Sequence, residues 1–193
     1  MTQSPQNLRI RRTQKLLREA LIDLIEEHGF EALTVGQITE RALVSRAAFY
    51  RNYRDKYDLV EQIFEEAMGK LTSAVTNHDP ERPPEVWVKF FEHIAAYARL
   101  YGALLGSQGS PWFVMKMRAS LEAMVRSHER DPNRTPPLAH ALQDGYLLKV
   151  LSAFYVESIT WWLEQGQPYT PRDMATRCAL VASAIFREAS SWQ

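Results

Sequence analysis

Arg46, Ala47, Tyr50 and Arg51 recur at a spacing that sets them along one side of a helix, while Phe49 and Tyr53, four apart, fall on the other. A guanidinium on the first side can donate two hydrogen bonds to guanine O6 and N7, and the Ala47 methyl can pack against a thymine methyl. Arg46 is therefore the expected base reader. The Tyr50 hydroxyl, the Lys56 ammonium, and Thr34 with the free N–H groups of the helix turn it opens are of the types that bond phosphate oxygens. Thr34, Ser45, Arg46, Ala47, Tyr50, Arg51 and Lys56 make up the expected DNA-binding set, with Arg9, Arg11 and Arg12 as further phosphate or minor-groove contacts from a basic arm.

These side chains need short, well-capped helices behind them. Leu17, Ala20, Leu21, Leu24 and Ile25 form one apolar stripe, which predicts a first helix over residues 8–28 that Gly29 ends. Thr34-Val35-Gly36-Gln37 has the form of a capping box and predicts a second helix running to about Ala42. Ser45 stands as an N-cap before a third helix over residues 46–52. Asp55 caps a long fourth helix predicted to end near Asn77, with Leu59, Ile63 and Phe64 on its inner face. The segment 78–84 is rich in proline, which lacks the N–H a helix interior requires. Beyond it, helices are expected over 84–105, 111–129, 137–165 and 171–190, each opened by proline in its first turn.

Two short helices joined by a tight turn, the second basic, are the parts of a helix-turn-helix. The run TVGQITERALVSRAAFYRNYRDKYDL, residues 34–59, resembles the signature of the TetR/AcrR family of bacterial transcription regulators. It carries the threonine cap, the small residue before the turn, Val-Ser, the Phe-Tyr pair, a further aromatic, and the lysine opening the fourth helix. Leu43 departs from it, standing in the turn where many members have glycine; a left-handed conformation there costs a non-glycine residue roughly 1 kcal/mol. The resemblance implies an all-α protein, with a helix-turn-helix DNA-binding domain over 1–54 and a helical dimerisation and effector-binding domain over 55–193. It further implies a ligand-responsive repressor that binds a palindromic operator in double-stranded DNA as a homodimer.

The expected dimer seam lies on two helices. The first carries Leu147, Leu148, Val150, Leu151, Phe154, Tyr155, Val156, Ile159, Trp161 and Trp162, apolar on more than one face; the second carries Met174, Cys178, Val181, Ala182, Ile185 and Phe186. About half of these are expected to serve the core within one chain. Trp87, Phe91, Tyr97, Trp112, Phe113 and Met117, with Met115 and His93 nearby, are the candidates for a small-molecule effector pocket. Core packing is the competing reading of all of them.

Composition narrows the remaining classes. Twenty-three basic and twenty-three acidic residues give no net charge, so a basic surface must come from distribution: the first eighteen residues hold Arg9, Arg11, Arg12, Lys15 and Arg18 and no acid. The single cysteine excludes an intramolecular disulfide and fits a reducing compartment. No apolar run is long enough to span a membrane, and a cytoplasmic location is expected. The five histidines lack metal-ligand spacing and no nucleophile–base cluster stands out, so neither metal, cofactor nor enzymatic activity is expected. The alternative is a helical adaptor whose N-terminal module docks a partner protein.

Overall fold

The computed structural model describes residues 5–72, 85–129 and 145–189. Among the described residues there are nine helices and no strand. They are α1 (Pro5–His28), α2 (Val35–Arg41), α3 (Arg46–Tyr50), α4 (Lys56–Thr72), α5 (Glu85–Ala96), α6 (Ala98–Leu105), α7 (Pro111–Glu129), α8 (Tyr146–Glu164) and α9 (Pro171–Ala189). The fold is all-α, as expected. The proline-rich segment 78–84, the expected end of α4 near Asn77, and residues 137–144 lie outside the described residues.

In the N-terminal head, α1 packs on α2, and its Leu17, Leu21, Leu24 and Ile25 belong to one buried core with Ile38 of α2, Phe49 of α3 and Leu59 of α4. The helix begins at Pro5, three residues before the predicted start. It ends at Gly29, whose N–H still closes a helical bond to the Ile25 carbonyl at 2.8 Å and whose φ of 75° turns the chain out of the helix after it. In the body, α5 packs on α9, α7 packs on α8, and α6 lies between α1 and α8. Trp162, fully buried, donates its indole N–H to the Tyr169 carbonyl at 3.0 Å and so closes the turn between α8 and α9. Cys178 of α9 is also buried, and burial pushes its thiol up to about 11 against a lowering hydrogen bond from Ser158.

Two helices expected to be continuous are not. The segment 84–105 divides at Tyr97, which sits at φ −120° and ψ 32° between α5 and α6. Neither proline nor glycine stands there; contacts with α1 hold the bend. The Arg18 guanidinium lies 5.0 Å from the centre of the Tyr97 ring, and Arg99 Nη2 donates to Asp23 at 2.9 Å and Glu26 at 2.8 Å. The helix expected over 137–165 has its N-cap at Gly145, in the left-handed region at φ 76°, so α8 begins at Tyr146. At the other joint between head and body, Phe30 N–H donates to the Gln108 carbonyl at 3.2 Å. Glu31 accepts there from Ser110 at 2.8 Å and from Tyr57 at 2.9 Å.

Candidate nucleic-acid interface

The start of α2 is held by a complete capping box. Thr34 Oγ1 accepts from Gln37 N–H at 3.3 Å, and Gln37 Oε1 accepts from Thr34 N–H at 2.9 Å. Thr39 returns its hydroxyl to the Val35 carbonyl, and Arg41 makes a two-pronged pair with Glu27 of α1 at 2.8 and 2.7 Å. The Arg41 hydrogen bond, against a smaller opposing effect of burial, holds the Glu27 carboxyl below its usual range. Thus α2 is fixed both at its start and along its side.

The turn follows the sequence expectation closely. Leu43 adopts φ 53°, and its side chain is 93% exposed, so an apolar group stands in solvent on a left-handed backbone position. Ser45 then caps α3, accepting from Ala48 N–H at 3.2 Å. The helix ends at Tyr50, two residues before the predicted end, with Arg51 as its C-cap. Phe49 is fully buried between Tyr50 and Tyr53, each with its ring centre 5.5 Å away, whereas Arg46, Ala47, Tyr50 and Arg51 are exposed. One face of α3 anchors the helix in the head and the other is left to solvent, carrying two guanidinium groups, a methyl and a phenol.

Arg46 has a particular seat. A Cβ placed on Gly36 would stand 2.7 Å from Arg46 Nη2, so the guanidinium lies over the first turn of α2, close to Thr34. The absent side chain at residue 36 makes that approach possible, a feature that sequence spacing did not signal.

Lys56 is engaged by the chain itself. Its ammonium is not free: it donates to the Phe30 and Glu31 carbonyls, both at 2.8 Å, and lies 4.8 Å from the centre of the Phe30 ring. The residue is only 8% exposed, and burial lowers its pKa against the pull of Glu31 and Asp55. Lys56 thus ties the loop after α1 to the start of α4. Asp55 caps that start, accepting from Asp58 N–H at 2.8 Å, while Asp58 accepts from Arg54 N–H at 2.7 Å.

Residues 17–63 match the family described as "Bacterial regulatory proteins, tetR family", and residues 81–183, more than half of the chain, match its "Transcriptional regulator C-terminal region". The chain belongs to the tetR family. An uncharacterized HTH-type transcriptional regulator of Bacillus subtilis (strain 168), YxbF, is 32% identical over 65 residues, which are 32% of this chain and 17% of the relative. The match thus spans less than a fifth of that relative's length. A TetR transcriptional regulator from Streptococcus agalactiae 2603V superposes with a TM-score of 0.61 at 22% identity, covering 92% of this chain and 97% of the other. The fatty acid degradation regulator FadR from Bacillus halodurans gives 0.54 at 16% identity, covering 100% and 98%. These two structures share the fold.

The aromatic effector candidates of this tetR-family chain fall into two groups of packed rings: Trp87 and Phe91 both meet Phe90, while Trp112 meets Phe113 at 6.4 Å and Phe113 connects to Tyr97 through Tyr101 and His93. Trp87 stacks face to face on Tyr155 with ring centres 4.3 Å apart, and Phe91 meets the edge of Trp162 at 5.5 Å. Phe113 and Met117 are fully buried, Phe113 against Phe64 and Tyr101. Trp112 also packs beside Tyr57 and Phe30 near the start of α4, and Tyr97 occupies the α5–α6 bend against His93. Met115 is exposed. On α8 and α9, Leu147, Leu148, Leu151, Tyr155, Val156, Ile159, Trp162, Met174, Cys178 and Ala182 are buried within the chain, whereas Trp161, Leu180 and Val181 remain exposed. No helix among the described residues is long and apolar enough to cross a membrane.

Proposed function

We propose that this regulator is a ligand-responsive repressor that binds a roughly palindromic operator in double-stranded DNA as a homodimer in the cytoplasm. The observation that carries the DNA reading is the division of α3, with Phe49 buried and Arg46, Ala47, Tyr50 and Arg51 exposed on a helix capped by Ser45. Arg46 and Ala47 face base edges, Tyr50 and Thr34 meet phosphates, and Lys56 holds the scaffold. A single short helix reads too few base pairs for useful selectivity, which favours two copies on a two-fold symmetric site. The exposed Trp161, Leu180 and Val181 support α8 and α9 as the surface those copies share. An effector acts by preferring one separation of the two heads, because only differential affinity shifts such an equilibrium.

Selection of random duplexes followed by sequencing tests the reading. An inverted repeat is expected, bound less tightly as salt rises because phosphate contacts release counterions. The combined variant Arg46→Ala, Tyr50→Phe is expected to lose that binding while keeping its fold. Retained binding, with an altered protein partner, would instead support the adaptor reading.

A further inference from the structure

Glu31, in the loop after α1, joins the head to the body at one point. Its Oε1 accepts from the Ser110 hydroxyl at 2.8 Å, its Oε2 from the Tyr57 hydroxyl at 2.9 Å, and its carbonyl from Lys56 at 2.8 Å. Ser110 is fixed in the body and only 1% exposed. Its hydroxyl accepts from Phe113 N–H at 3.3 Å in the first turn of α7, and its N–H donates to the Leu104 carbonyl at the end of α6 at 2.9 Å. A Cβ on Gly109 would collide with that same carbonyl, so the loop between α6 and α7 has little room to shift. Tyr57 stands in the first turn of α4 with its ring 5.0 Å from Trp112 and 5.3 Å from Phe30, and the hydrogen bond to Glu31 is the first cause holding its phenol above the ordinary range. From α4 the links continue to the reading helix. Gln62 donates to the Asn52 carbonyl at 3.2 Å, and the Asn52 amide donates to the Ala48 carbonyl within α3 at 2.8 Å.

We propose that Glu31 is a positioning residue for DNA recognition, one that fixes the angle of α3 to the body and so the separation of half-sites that two paired heads accept. This role rests on the paired-head reading above and names the residue that makes it selective for spacing. Glu31 acts through Tyr57 and Ser110 and meets no part of the DNA itself. A carboxylate suits the junction because each of its two oxygens takes one hydroxyl. The second joint between head and body is of another kind. Arg99 pairs with Asp23 and Glu26 through full charges on side chains that reach solvent, so salt weakens it. The hydroxyls that Glu31 holds are neutral and one belongs to a buried serine, so this junction keeps its geometry as salt rises.

The test uses the full chain and duplexes that carry the selected half-sites at separations changed by single base pairs. The readout is the ratio of affinity at the preferred separation to that at its neighbours. Glu31→Ala is expected to lower this ratio by about fivefold or more, the scale on which distant sites are coupled. The bases preferred within each half-site should stay the same, because the exposed face of α3 is untouched. A residue that served stability alone would weaken binding at every separation equally and leave the ratio where it was. Tyr57→Phe keeps the ring against Trp112 and Phe30 and removes only the hydroxyl. It should lower the ratio in part, and adding it to Glu31→Ala should lower it no further. Glu31→Gln, which retains one acceptor oxygen, should restore part of the ratio. Should Glu31→Ala fail to fold, Tyr57→Phe decides alone. An unchanged ratio in either variant, or effects of the two that simply add, would overturn the positioning role while leaving the paired-head reading intact. Equal binding by the unaltered chain at every separation would remove both.

Discussion

The head and the body of this chain use aromatic and basic side chains in opposite ways. In the head, Arg46, Tyr50 and Arg51 stand in solvent on a helix whose backbone is capped and whose one large apolar residue, Phe49, is buried. In the body, Trp87, Phe91, Phe113 and Met117 are each enclosed, stacked or wedged against another ring or helix. A side chain left unengaged by a fixed backbone is free to meet a partner. One already packed on all sides must first be released, so the aromatic content of the body speaks for stability before it speaks for recognition.

The sharpest way to break this contrast is Phe113→Ala. If the residue is core, the change should cost about 3–5 kcal/mol in denaturant unfolding. A loss below about 1 kcal/mol would mean that the ring borders a space already open to a ligand. On the head side, Gly36→Ala sharpens the comparison. Alanine raises helix propensity by about 0.5–1 kcal/mol, so the thermal midpoint should hold or rise. Its methyl takes the place of the Arg46 guanidinium, the movable end of a long side chain, and discrimination at the base pair that Arg46 serves should fall about tenfold. Loss of stability together with binding would show that the backbone itself needs glycine. The smallest effect is expected from Leu43→Gly, which should stabilise the turn by roughly 1 kcal/mol by relieving the left-handed strain; a destabilisation would mean that Leu43 makes a contact the exposed position does not display.

The same contrast explains what was legible in the sequence. Caps and turns depend on residues three or four apart, and Thr34 with Gln37, Ser45 before α3, Asp55 before α4, and Gly29 after α1 all stand as their spacing predicts. The bend at Tyr97 depends on Arg18 of α1 meeting the Tyr97 ring and on Arg99 meeting Asp23 of α1, partners far off in the chain, and nothing local announces it. The tie of Lys56 to the loop after α1 was hidden for the same reason, since its carbonyl partners lie 25 and 26 residues away. Gly145 was within reach: Asp144-Gly145 is a turn dipeptide, overlooked within a long apolar pattern. The face of α3 was readable because burial of Phe49 follows from helical period alone, whereas the seat of Arg46 on Gly36 joins two helices.

The thiol of Cys178 gives the body a built-in reporter. With its ionisation pushed to about 11, roughly one molecule in ten thousand carries a thiolate at pH 7, and the sulfur is covered by neighbouring helices. An alkylating reagent therefore gains access only when α9 parts from its neighbours. As the chain has one cysteine, the labelling rate counts those openings without interference from a second site. A small molecule that tightens the body would declare itself by slowing that rate before its own binding place is known.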